Sequence, residues 1–90
     1  MYKVELRRRV RQSLDKLPEK DRRVVIATLE SLEQEPRPRG VEKIRGTELW
    51  RIRKGDYRAI YYINDQEQII TVVRIGHRRD VYRGIQRGGD

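Results

Sequence analysis

Ninety residues with no cysteine and one histidine bound the chain to a single small domain, without a disulfide framework or a thiolate metal centre. No apolar run approaches the roughly 18 residues of a membrane span, and the charged start Met1-Tyr2-Lys3-Val4-Glu5 does not read as a secretory signal. The expectation is a soluble cytoplasmic protein. Net charge is +8, and arginine supplies 17 of the 22 basic residues. A guanidinium fork grips phosphate through paired hydrogen bonds, where lysine is a mobile point charge. Composition therefore points to a polyanionic partner, nucleic acid before acidic protein, against the plainer reading of a well-hydrated basic surface.

Residues 2–6 alternate apolar and polar, the period of a half-buried strand. From Arg7 the period changes, and Val10, Leu14 and Leu17 fall on one face of a helix that Pro18 closes. Val25, Leu29 and Leu32 repeat the stripe in a second helix, with Val24 and Ile26 widening its buried face, until Pro36 and Pro38 end it. An antiparallel helical hairpin follows from the short joint at Leu17-Pro18. Residues 37–48 read as a loop carrying Arg37, Arg39, Lys43 and Arg45 against Glu42 and Glu48, either a solvated connection or a mobile arm that meets an anionic surface.

Beyond Glu48 the text turns to β structure. Residues 49–53, 57–63 and 69–75 are three short-looped strands, an antiparallel meander, with Lys54-Gly55 as the first turn and residues 64–67 as the second. Gly76 ends the third strand, residues 78–83 form a turn or short helix, and residues 84–90 form a flexible tail. The fold class is α+β: an N-terminal strand, a two-helix hairpin, a three-stranded antiparallel meander and a short C-terminal turn or helix. Two layers form one domain over residues 1–90.

Strand alternation places Arg51 and Arg53 on one face and Trp50 and Ile52 on the other. With Lys54-Gly55 as the loop, Arg53 stands opposite Asp56, Ile52 opposite Tyr57 and Arg51 opposite Arg58, so all three arginines share a face. Like charges directly opposite cost roughly 0.2–1 kcal/mol. Either the arginines are the wet side of a one-sided sheet, their stems lying over Ile60 and Tyr62, or a bound phosphate relieves the repulsion. Gly76-His77-Arg78-Arg79-Asp80-Val81-Tyr82 adds a second polar group. A lone histidine is more often a packing or surface residue than a catalyst, whereas a tyrosine beside an arginine cluster can stack on a base.

The stretch Leu49-Trp50-Arg51-Ile52-Arg53-Lys54-Gly55-Asp56-Tyr57-Arg58-Ala59-Ile60-Tyr61, followed by Ile75-Gly76-His77-Arg78-Arg79-Asp80-Val81-Tyr82, resembles the RelE family of the RelE/ParE toxin superfamily. These are the toxin halves of type II toxin–antitoxin pairs. Weaker echoes lie in Leu14, Leu17-Pro18, Leu32 before Pro36, and Gly46, so the resemblance covers residues 2–83. It implies a small antiparallel sheet with an N-terminal helical hairpin (a RelE-like two-layer sandwich). The implied activity is a metal-independent, cofactor-free endoribonuclease, an mRNA interferase that cuts mRNA on the ribosome and arrests translation. The implied partner is a RelB-like antitoxin that silences it in a hetero-oligomer.

Carried over by position, the resemblance implies Arg58 and Arg78 as charge-stabilising catalytic residues, Tyr82 as the residue orienting the nucleotide, and His77 as an acid or base. Arg51 and Arg53 are expected to position the phosphate; Lys54 and Arg45, outside the carried-over positions, are expected as further RNA contacts. Well-known members carry lysine where this chain has Arg51 and Arg53. A guanidinium stays protonated, so it holds phosphate but is a poor base. That leaves His77, Tyr82 or charge stabilisation alone to carry the proton chemistry. Two rival readings are a ParE-like inhibitor of DNA gyrase and a non-catalytic nucleic-acid-binding module.

Overall fold

The computed structural model describes residues 1–77. β1 (Lys3–Leu6) leads into α1 (Arg8–Asp15) and α2 (Glu19–Ser31), then β2 (Glu42–Lys43), β3 (Leu49–Lys54), β4 (Tyr57–Asn64) and β5 (Ile69–His77). The strands form one five-stranded sheet in the order β1-β5-β4-β3-β2, with the two helices on one face. The α+β fold expected from the sequence is the one observed. The expected turn or helix at 78–83 and the tail at 84–90 lie outside the described residues.

Helix α1 buries Val10 and Leu14, and α2 buries Val25 and Leu29, with Leu32 following as its C-cap. These are the i, i+4, i+7 stripes of the sequence, one per helix. Pro18 sits at the N-cap of α2 in extended conformation, and Glu19 and Asp21 place negative charge in the first turn, where the helix dipole favours it. Val24 and Ile26 do not widen the buried face. They stand about 100° to either side of the stripe and are 41% and 38% exposed.

The helices cover the face carrying Trp50, Ile52, Tyr57, Ala59, Tyr61, Ile63, Ile70, Val72 and Ile75. Tyr61 is fully buried and donates its hydroxyl to the Pro36 carbonyl at 2.8 Å. Burial pushes this phenol well above the ordinary tyrosine range. No helix among the described residues is long and apolar enough to cross a membrane.

Three details depart from the sequence reading. β1 joins the sheet in parallel with β5, Lys3 opposite Ile69 and Leu6 opposite Val72. Residues 37–48 are not a free arm. Glu42–Lys43 forms the edge strand β2 against Arg51 and Trp50, and Ile44 is buried against Ile60 on the sheet face away from the helices. Arg37 is also anchored, with its guanidinium donating to both Asp65 oxygens (3.3 and 2.9 Å) and lying 5.3 Å from the Trp50 ring centroid. Finally, the first hairpin turns at Gly55-Asp56 rather than Lys54-Gly55. Gly55 takes φ +59°, the left-handed conformation that favours glycine at the first position of a two-residue loop.

Candidate functional site

The corrected turn slides the β3–β4 register, so that Arg53 faces Arg58, Arg51 faces Ile60 and Lys54 faces Tyr57. Directly opposed residues share a face, and so do residues two apart along a strand. Arg51, Arg53 and Arg58 therefore still point the same way, to the side without helices. Four cross-strand rows make up this face. The first is Arg53, Arg58 and Gly76; the second is Glu42, Arg51, Ile60 and Arg74; the third holds Leu49, Tyr62, Thr71 and Glu5; the fourth holds Asn64, Ile69 and Lys3. Ile60 is the buried centre, and Ile44, Leu49 and Val73 pack around it as a small apolar floor.

A β-bulge decides which residues of β5 join the face. Ile60 pairs with Arg74 but Tyr61 pairs with Val72, leaving Val73 as the extra residue. Strict alternation from the buried Ile70 and Val72 would have turned Arg74 towards the helices and His77 towards the arginines. The bulge reverses both. Arg74 joins the arginine face and Ile75 enters the core, while His77 faces the helix side opposite Tyr57.

There the His77 and Tyr57 rings meet edge-on, 6.2 Å between centroids and 75° between planes. Tyr57 donates its hydroxyl to Asp21 Oδ2 at 3.0 Å, and that hydrogen bond, ahead of burial, raises its pKa above the ordinary tyrosine value. His77 lines a cleft of about 380 Å³ with Lys20, Asp21, Val24, Lys54 and Tyr57. Neither His77 nor Lys54 is part of the arginine face, contrary to the grouping drawn from their nearness in the sequence. Arg45 is exposed in the tight β2–β3 turn, where Thr47 donates its hydroxyl to the Ile44 carbonyl and accepts from the Leu49 amide. Arg78 and Tyr82 lie outside the described residues.

The arginines differ in their surroundings. Arg51 is half-buried and ion-paired with Glu42 across the β2–β3 ladder, so one carboxylate already occupies it. Arg53 is exposed and forms no ion pair with a described residue. Arg58 is half-buried, and its Nη1 is buried without a hydrogen-bond partner among the described residues. A desolvated, unsatisfied guanidinium nitrogen opposite a second arginine is unfavourable for the fold alone, on the order of 1–3 kcal/mol for the missing bond. The register offers an oxyanion on this face two guanidinium groups from adjacent strands. Sequence reasoning missed Arg74 on this face and took Tyr62 only as a surface under the arginine stems, whereas it is exposed. The apolar pair Val72-Val73 followed by Ile75 was the available sign that β5 breaks alternation.

A small α+β domain with a helical hairpin on one sheet face and converging arginines on the other fits the small toxins of type II toxin–antitoxin pairs. Residues 4–82 match the family model described as ParE toxin of type II toxin-antitoxin system, parDE, and the chain belongs to that family. It is 33% identical over 89 residues to Toxin RelG of Mycobacterium tuberculosis, covering 91% of this chain and 97% of that one. Among solved structures it is similar to an archaeal RelE–RelB complex from Pyrococcus horikoshii. That match has 34% identity and a TM-score of 0.78, covering 89% of this chain and 98% of the other. A toxin–antitoxin complex from Mycobacterium tuberculosis matches at 29% identity and a TM-score of 0.77, covering 86% and 98% respectively. The RelE resemblance read from the meander thus holds along the chain.

Proposed function

We propose that this toxin is a metal-independent endoribonuclease that cuts mRNA on the ribosome, with the arginine face as its catalytic surface. The observation that carries the reading is the register that sets Arg58, half-buried and with a buried Nη1 that has no hydrogen-bond partner among the described residues, directly opposite Arg53. In the step proposed, the ribose 2′-OH attacks the adjacent phosphorus, the bond to the 5′-oxygen breaks, and a 2′,3′-cyclic phosphate remains. The proton lost by the 2′-OH is balanced by one delivered to the departing 5′-oxygen. Arg58 stabilises the charge that develops on the phosphoryl oxygens, and Arg53 holds the phosphate in line. Arg51 reaches the backbone only by exchanging Glu42 for phosphate. Arg78 adds charge stabilisation and Tyr82 orients the nucleotide. With His77 on the helix side, electrostatic stabilisation carries more of the rate than a histidine base.

The partner proposed is a RelB-like antitoxin, an acidic segment that orders on binding and covers the basic face in a hetero-oligomer. Both solved relatives above are toxin–antitoxin complexes. The name of the matching family favours a second reading, a ParE-like toxin that inhibits DNA gyrase through protein contact. Mapping transcript 5′ ends after brief expression tests the first reading: new ends inside coding sequences with the wild type, and none with Arg58→Ala. Unchanged transcripts together with inhibited gyrase supercoiling would assign the second.

A further inference from the structure

Tyr62 has no part in the chemistry above, yet the residue is 41% exposed on the face assigned to it. It lies four residues along β4 from Arg58, about 13 Å at the rise of a strand, with buried Ile60 between them as the floor. Leu49 flanks it on one side and Thr71 on the other. The remaining tyrosines among the described residues commit their hydroxyls internally, Tyr2 to Asp65, Tyr57 to Asp21 and Tyr61 to Pro36. Tyr62 makes no hydrogen bond with a described residue. The small cluster of Ile44, Ile60, Leu49 and Val73 closes without its ring. Neither packing nor hydrogen bonding within the fold explains an aromatic here.

A row of guanidinium groups ending in an open aromatic ring is the arrangement that recognises single strands, where cations follow the phosphates and the ring takes the face of a base. We propose that Tyr62 is the stacking platform for a base flanking the scissile phosphate, with Leu49 as its apolar shoulder. The inference rests on the arginine face being the RNA site and adds a positioning residue to it. Arg51 and Arg74 in the adjoining row, against Glu42 and Glu5 as the acids nearest in register, favour a nucleic acid strand over an apolar side chain of an antitoxin as occupant. Every base has a π face, so the contact contributes affinity and register without selecting a codon.

The test is single-turnover cleavage of mRNA on programmed ribosomes by the wild type, Tyr62→Phe, Tyr62→Leu and Tyr62→Ala, using intact mRNA and mRNA abasic at either nucleotide beside the cut. Tyr62→Phe behaves as the wild type, because the hydroxyl is not used. Tyr62→Ala and Tyr62→Leu weaken the apparent affinity about ten-fold or more while the maximal rate changes less. Leucine keeps the apolar bulk, so its loss cannot be assigned to misfolding. One abasic flank weakens the wild type similarly and the alanine variant no further. Full activity of Tyr62→Leu, or losses that multiply on abasic mRNA, overturns the platform while leaving the ribonuclease reading intact. Normal cleavage coupled with escape from antitoxin inhibition also overturns it and assigns Tyr62 to the antitoxin. A wild type that leaves ribosome-bound mRNA uncut overturns both.

Discussion

Arg53 and Arg58 stand directly opposite each other on adjacent antiparallel strands, and neither forms an ion pair with a described residue. Function and stability pull against each other at such a pair. Arg53→Gln keeps the polar stem and removes one charge, so it stabilises the free protein by about 0.2–1 kcal/mol in urea unfolding while weakening RNA cleavage. A variant that is both less stable and fully active contradicts this account.

The Glu42–Arg51 ion pair makes an opposite prediction. Glu42→Gln removes the carboxylate that occupies Arg51 and adds one unit of net positive charge to the arginine face. RNA binding should tighten at low salt, and the slope of log affinity against log salt should steepen. Fluorescence anisotropy with a non-cleavable oligonucleotide across a salt series measures both. An unchanged slope would mean that Arg51 never reaches phosphate.

His77→Ala distinguishes the two faces of the sheet. Its ring meets Tyr57 on the helix side, so the variant should cut mRNA at the wild-type rate and keep the same pH profile. Loss of an ionisation from the pH profile of the maximal rate would place His77 back in the chemistry.

Asp65 sets a pH dependence of stability. Hydrogen bonds from Arg37 and then from Tyr2 hold its carboxyl below the ordinary aspartate value in the folded state. A group with a depressed folded pKa contributes its full stability above the unfolded pKa and loses it as pH falls through the folded one. The wild type therefore loses this contribution below about pH 4. Asp65→Asn should be less stable at neutral pH, with the difference shrinking in acid. Parallel urea midpoints for the two proteins from pH 7 down to pH 2.5 would rule the network out as a stabilising element.

What was legible in the sequence was local. The helical stripes of Val10 and Leu14 and of Val25, Leu29 and Leu32, the three meander strands and the shared face of Arg51, Arg53 and Arg58 all follow from periods of 3.6 and 2. The shared face survived a wrong turn assignment because the slip moved the pairing by an even number of positions along β3. What was not legible depended on partners distant in sequence or on one inserted residue. The pairing of β1 with β5 leaves no mark in the residues 2–6. Burial of Ile44 depends on Ile60, and a two-residue strand is too short for alternation to register. The bulge at Val73 exchanged Arg74 for His77 on the arginine face, a change invisible to counting by twos. Tyr62 was read as a surface for arginine stems, and only its exposure and unbonded hydroxyl separate it from that background.

The parallel ladder between β1 and β5 has a consequence for how the toxin comes into being. Lys3 waits for Ile69 and Leu6 for Val72, so the first strand to leave the translating ribosome has no partner until most of the chain has followed. Arg74 and the bulge that turns it outward arrive later still. A nascent fragment that stops before β5 therefore lacks both the partner of β1 and Arg74. The full five-stranded sheet, with Arg74 in the row of Arg51 on one face, exists only once β5 has been made.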